Sequence, residues 1–246
     1  MISPSGFRWE DLKQKFYHAH RKVEQKTLSF NFRSVGSLVN LANQLLKLRS
    51  RLLATPVGDI SVPASTYGQL AQLITATIES LKVNIQGKLN PGDAILVRTD
   101  TDKEKFRRDF QSSFVFTVEE AKGLEFDTVF LVEFFQPAQE LWGKVLRDGV
   151  LKDKEKPHLQ LELNLLYVAI TRARRILNIW ESKPSQVWNQ RELAGCVLSD
   201  SSELVRSDRV EPTAESWHEQ GLYYLKAEFY QQAMECFEKS GDTLLQ

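Results

Sequence analysis

The chain has 246 residues, 42% of them apolar, so it can bury a sizeable core and wholesale disorder is excluded. Lysine plus arginine equals aspartate plus glutamate at 32 each, so net charge does not draw the chain to nucleic acid, and any such partner must come from a local site. No apolar run approaches the roughly 18 residues of a membrane span, and the start, MISPSGFRWEDLKQ, lacks the apolar stretch of a signal peptide. An intracellular protein, cytoplasmic or nuclear, is expected, with Cys196 and Cys236 as ordinary thiols.

Residues 8–24 carry Trp9, Leu12 and Phe16 at helical spacing, and LSFNF (28–32) alternates like a strand. Residues 34–53 place Leu38, Leu41, Ala42, Leu45 and Leu46 on one helical face, with Ser34 as N-cap. TPVGDISVPAS (55–65) reads as a loop and residues 66–86 as a second amphipathic helix. NPG (90–92) is a turn, DAILVRTD (93–100) a strand and TDKEKFRRDF (101–110) a charged helix. Two apolar strands, FVFTV and TVFLVEFF, flank the loop TVEEAKGLEF (117–126). Residues 144–160 are polar and read as a loop, LELNLLYVAITRARRI (161–176) as a helix, and LNIWES (177–182) as a strand. Alternating strands and helices predict an α/β domain with a mostly parallel sheet.

Beyond residue 183 the sequence turns polar and irregular, which predicts a linker over 184–212. Residues 213–246 differ again. Trp217, Gly221, Tyr224, Ala233 and Phe237 follow the spacing of a tetratricopeptide helix pair, although a plain helical hairpin meets the same pattern. The expected organisation is a helical lead-in (1–27), an α/β domain (28–183), a linker and a TPR-like hairpin.

Three polar segments interrupt these elements. In TVEEAKGLEF, Gly123 supplies backbone freedom for a turn and Glu125 an acceptor for hydroxyl groups. The plain alternative is a solvated connection. In NFRS (31–34), Phe32 offers a flat apolar face and Arg33 a planar fork suited to phosphate oxygens. In YVAITRARR (167–175), Arg172 follows an apolar helical face, and Arg174 and Arg175 read as a solvated cap at the helix end.

These segments carry a resemblance. LSFNFRSVGSLVNLAN resembles the fourth motif of the UvrD/Rep-type superfamily 1 helicases, TVEEAKGLEFDTVFLVEFF the fifth, and LELNLLYVAITRARRIL the sixth, in that order. Within that family the chain looks most similar to the helicase-like region of TPR and ankyrin repeat-containing proteins. The resemblance implies a RecA-like, P-loop NTPase-type three-layer domain, the second of two that enclose ATP and Mg2+. By motif, Phe32 corresponds to the aromatic near adenine, Glu125 to the ribose acid, Gly123 to the turn at the nucleotide, and Arg33 and Arg172 to the arginines that reach the γ-phosphate, Arg172 as the finger. Thr117 and Lys122 correspond to contacts with single-stranded nucleic acid.

The sequence has no GxxxxGK[ST] phosphate loop and no acidic pair after an apolar strand, so the Mg2+ ligands are expected from an N-terminal RecA-like half, in the same gene or a separate chain. Phe32 stands where tyrosine is common, Glu119 where many members carry a strand-contacting histidine, and Leu163 and Asn164 where members often carry two arginines. The expected function is the C-terminal half of an ATP-dependent helicase or translocase, inactive alone. The second expectation is an inactive helicase-like module that binds protein partners through its hairpin. The four histidines are scattered, and no metal site is expected.

Overall fold

A computed structural model describes Gln14, Lys15, Tyr17 and residues 29–58, 60–65, 67–148, 152–199 and 212–242. The helical lead-in expected over 1–27 lies outside the described residues except at those three positions. The chain order is β1 (Phe30–Asn31), α1 (Gly36–Leu53), β2 (Val62–Pro63), β3 (Ala71–Thr75), α2 (Ile78–Ile85), β4 (Asp93–Val97), α3 (Asp100–Phe110), β5 (Val115–Thr117) and β6 (Phe126–Val132). Then come α4 (Gln139–Asp148), α5 (Lys156–Ile170), β7 (Ala173–Glu181), β8 (Val197–Ser199), α6 (Ala214–Lys226) and α7 (Tyr230–Ser240).

Six strands form one sheet in the order β5-β4-β6-β7-β3-β8, with every pair parallel. The β4 residues are all buried, and β6 and β7 are buried except near their starts, as strands covered on both faces require. The chain moves one way across the sheet from β3 to β4 to β5, and the other way from β6 to β7. Because such crossovers are right-handed, α2 and α3 lie on one face and α4 and α5 on the other. Helix α1 lies beside α5 and β7. The architecture is the expected α/β fold.

Several boundaries differ from the sequence reading, each for a local reason. Residues 66–86 are not one helix. Ala71–Ile74 are buried between β7 and β8, which erases any one-sided pattern, and the Thr77 side chain caps a new helix by accepting from Ser80 N–H. The expected loop at 144–160 instead holds the end of α4 and the start of α5, whose first turn contains Pro157, where its missing N–H costs nothing. The expected helix at 161–176 stops at Ile170; the Thr171 hydroxyl donates to Tyr167 and Val168 carbonyls, and β7 begins at Ala173. Arg174 and Arg175 are therefore strand residues, not a helix cap. Ser34 does not cap α1 either: Val35 holds that position, and the Ser34 hydroxyl donates to the Ala173 carbonyl.

The expected linker 184–212 is a correction too. Its first part makes a 3-10 turn at Gln186–Asn189 and then β8, which pairs with β3 at the sheet edge, while 200–211 lie outside the described residues. Its polarity misled because β8 is an edge strand whose Leu198 and Ser199 are exposed.

The hairpin α6–α7 covers the end of the sheet beside β5. Phe114 stacks on Trp217 and Tyr224 with ring centroids 5.8 and 5.9 Å apart, and Phe116 meets Tyr224 and Phe229 at 5.9 and 5.5 Å. Gly221 lets the helices close: a Cβ there would sit 2.6 Å from the Phe237 ring.

Candidate functional site

The loop Val118–Glu125 leaves the carboxyl end of β5, where Thr117 lies beside Val97, and enters the amino end of β6, where Phe126 lies beside Ala173. It thus crosses the sheet from one edge to the other. Thr117 is buried, and its hydroxyl accepts from Glu120 N–H, so it closes the first turn of the loop. Lys122, Gly123 and Glu119 are exposed. Gly123 has φ +97° and open space around it, so the glycine serves the turn and not a close approach.

At the amino edge the three polar segments meet. Arg33 follows a turn in which Asn31 Oδ1 accepts from the Arg33 and Ser34 N–H groups. Val35 N–H donates to the Arg174 carbonyl at 2.9 Å, tying this segment to the start of β7. Arg33 Nε lies 2.7 Å from Glu125 Oε2, with side chains 36% and 38% exposed. Arg33 Nη2 and Arg172 Nη1 both donate to the Leu124 carbonyl, at 3.3 and 2.8 Å. Arg33, Glu125 and Arg172, three of the residues singled out from the sequence, are therefore brought together.

Arg172 differs from its expected place on a helix. It follows the Thr171 cap, and four of its five N–H groups have partners: Val168 O, Ala121 O, Leu124 O and Thr171 Oγ1. Its own carbonyl accepts from Phe126 N–H. Burial lowers the Arg172 guanidinium from its ordinary value and neighbouring Arg33 pushes the same way, while Glu125 opposes. A bulge marks the spot: Phe126 and Thr128 oppose Ala173 and Ile176, so β7 carries one extra residue and both Arg174 and Arg175 are exposed, their Nε atoms 3.9 Å from Asp127. Phe32 is 84% exposed and lies 6.2 Å from the Phe30 ring.

The carboxyl edge is arranged otherwise. The strand order reverses between β4 and β6, and ligands of open α/β sheets settle at the carboxyl ends of such a point. Here Arg98 fills it, with both Nη atoms 2.7 Å from the Glu162 carboxylate and the guanidinium 4.6 Å from the Phe134 ring centre. The charged cluster gathers instead at the amino edge, because the loop spans the sheet. Beyond β6 and β7 lies a cavity of about 310 Å3 lined by Glu133, Phe135, Trp142 and Glu181 among others. Burial raises the Glu181 carboxyl to about 7.

Sequence reasoning missed the Leu124 carbonyl as the hub, the Arg98–Glu162 pair, and Tyr223, whose hydroxyl accepts from Glu125 N–H at 3.1 Å. A lone acid inside the apolar run LELNLL was the available signal for Glu162. Among the described residues, no group of three or more His, Cys, Asp or Glu is placed to hold a metal ion.

Residues 100–183 match the model of the UvrD-like helicase C-terminal domain, which takes in the fifth and sixth motifs. "TPR and ankyrin repeat-containing protein 1" of Homo sapiens is 24% identical over 299 residues, covering 96% of this chain and 10% of that protein. The chain spans about a tenth of the length of this curated relative. A crystal structure of the C-terminal domain of a possible DNA helicase from Lactobacillus plantarum aligns with a TM-score of 0.40 and 15% identity, over 70% of this chain and 99% of that one.

Proposed function

We propose that the amino-edge cluster is one wall of an ATP site, completed by a second RecA-like half that supplies the phosphate loop and the Mg2+ ligands. The observation that carries this reading is the convergence of Arg33, Glu125 and Arg172, from three distant segments, around one carbonyl at Leu124. The donor set fits a nucleotide. Two guanidinium groups suit phosphate oxygens, a half-exposed carboxylate suits ribose hydroxyls, and the open face of Phe32 suits a flat base. Bound ATP supplies the phosphoryl group; the chain orients it and offsets charge as it develops. Arg33 is the more accessible of the two arginines. Arg172 acts as a finger by exchanging its bond to the Leu124 carbonyl for phosphate, so it is both a staple in the free chain and a charge donor in the complex.

On this reading the whole protein is an ATP-dependent helicase or translocase. Contact with single-stranded nucleic acid falls to exposed Lys122, with Thr117 supporting the turn from beneath. Titration of the chain with Mg–ATPγS, followed by NMR, is expected to shift the resonances of Arg33, Glu125 and Arg172. Shifts confined to other regions, or none at millimolar ligand, would refute the nucleotide wall. With the second half present, Arg172→Ala is expected to lower turnover by about three orders of magnitude or more, the scale of an arginine finger. An unchanged rate rules out that role.

One observation favours a second reading, a protein-binding module. The hairpin, here read as TPR-like, leaves Leu222, Leu225, Tyr230 and Met234 about half exposed, an apolar outer face suited to a protein partner.

A further inference from the structure

We propose that Tyr223 is a positioning residue for the nucleotide-facing cluster, so that the C-terminal hairpin sets the geometry of Glu125 and Arg172. The proposal rests on the nucleotide reading for its consequence, but its geometry stands apart from it.

Three successive backbone groups of the loop are anchored by residues distant in sequence. The Leu124 carbonyl accepts from Arg33 and Arg172, Glu125 N–H donates to Tyr223 Oη at 3.1 Å, and Phe126 N–H donates to the Arg172 carbonyl. Of these anchors only Tyr223 comes from the hairpin.

The hydroxyl is not free to wander. The Tyr223 ring meets Tyr224 edge-on at 5.6 Å, and Tyr224 is fully buried between Phe114 and Phe116. Polar anchors fix the rest of the hairpin: Gln232 Nε2 donates to Ser113 O at 2.8 Å, and Ser113 N–H donates to Glu235 Oε2 at 2.6 Å. Lys239 Nζ stands 4.5 Å from the Trp217 ring centre. A rigid contact with the β5 end thus reaches across to the acid assigned to the ribose. Removing the hydroxyl leaves Glu125 N–H without this acceptor and lets the carboxylate and its Arg33 partner drift.

The test is Tyr223→Phe in the 246-residue chain, which keeps the ring packing. Amide exchange at Glu125 is expected to rise about tenfold, the scale of one lost hydrogen bond. The Arg172 Nε–H resonance should move, while β4 resonances stay in place and the melting temperature falls by no more than about 4 °C. Unchanged exchange at Glu125, or a loss spread evenly over the sheet, overturns the proposal. Tyr223→His, whose shorter ring cannot bring a nitrogen to the place of the phenolic oxygen, should also raise exchange at Glu125, and it carries the comparison should the Phe variant fail to fold. If the wild-type chain shows shifts with Mg–ATPγS, Tyr223→Phe should weaken that binding several-fold, and equal affinity counts against positioning. If wild type shows none, the nucleotide reading fails and the exchange data alone decide on Tyr223.

Discussion

Of the arginine–glutamate pairs among the described residues that approach to 2.7 Å, Arg98–Glu162 and Arg33–Glu125 have opposite settings. Arg98 and Glu162 are each 9% exposed, joined through both carboxylate oxygens and closed over by Phe134 and Trp142. Arg33 and Glu125 are more than a third exposed and joined through one nitrogen. The first pair sits at the carboxyl-edge reversal, where open sheets ordinarily receive a ligand; the second sits at the opposite edge. Distance alone does not tell a closed pair from one open to a ligand. What distinguishes them is how many donors and acceptors are already spent and whether solvent, and therefore a ligand, can reach the rest.

The comparison breaks most visibly at Glu162. Glu162→Ala leaves the Arg98 guanidinium buried without its counter-charge, and should cost about 3–5 kcal/mol in urea unfolding followed by tryptophan fluorescence. Replacing both partners, Arg98→Met with Glu162→Leu, should recover most of that loss; no recovery would mean that packing and not charge carries the effect. Glu181, at the same edge, gives the next largest effect. Burial holds its carboxyl near about 7 against 4.5 in the unfolded chain, so the folded state keeps a proton that the unfolded state releases. Stability should therefore fall, by an amount of order 3 kcal/mol, as pH rises from about 4.5 to about 7, and then level off. Melting curves of Glu181→Gln should lack that slope; the same slope in the variant would assign it to another group. The smallest effect belongs to the open pair. Arg33→Ala should change stability by only about 0.5 kcal/mol, as for other half-exposed ion pairs. A loss comparable to that of Glu162→Ala would make the amino-edge pair structural.

The α/β class and individual strands were legible where apolar runs were bounded by turns, as in β4 and β6, while the strand order was not. The charged cluster was legible because its residues lie in three short segments of distinct composition. What the sequence hid were features set by distant partners. Ala71–Thr75 looked helical because a central strand buried on both faces has no period of its own. The TRARR run looked like a helix end because a bulge opposite Asp127 places two arginines outward in succession, which an alternating strand would not do. By resemblance Arg172 read as the finger that reaches a phosphate, and nothing local announced that four of its N–H groups would be taken by carbonyls and a hydroxyl. Tyr223 was passed over because the repeat spacing singled out its neighbour Tyr224, which only packs.

The position of β3 has a consequence for how the chain reaches this state. Its sheet neighbours are β7 and β8, whose partner residues come about a hundred positions or more later in the sequence. Strands β4, β5 and β6 pair among themselves within a short stretch and can assemble early. A growing chain that has made β3 but not β7 holds an apolar strand with both edges open, and closing it costs the entropy of a long loop. Synthesis therefore passes through an interval of exposed strand edges, and the step that ends it is the arrival of β7, the strand that follows Arg172.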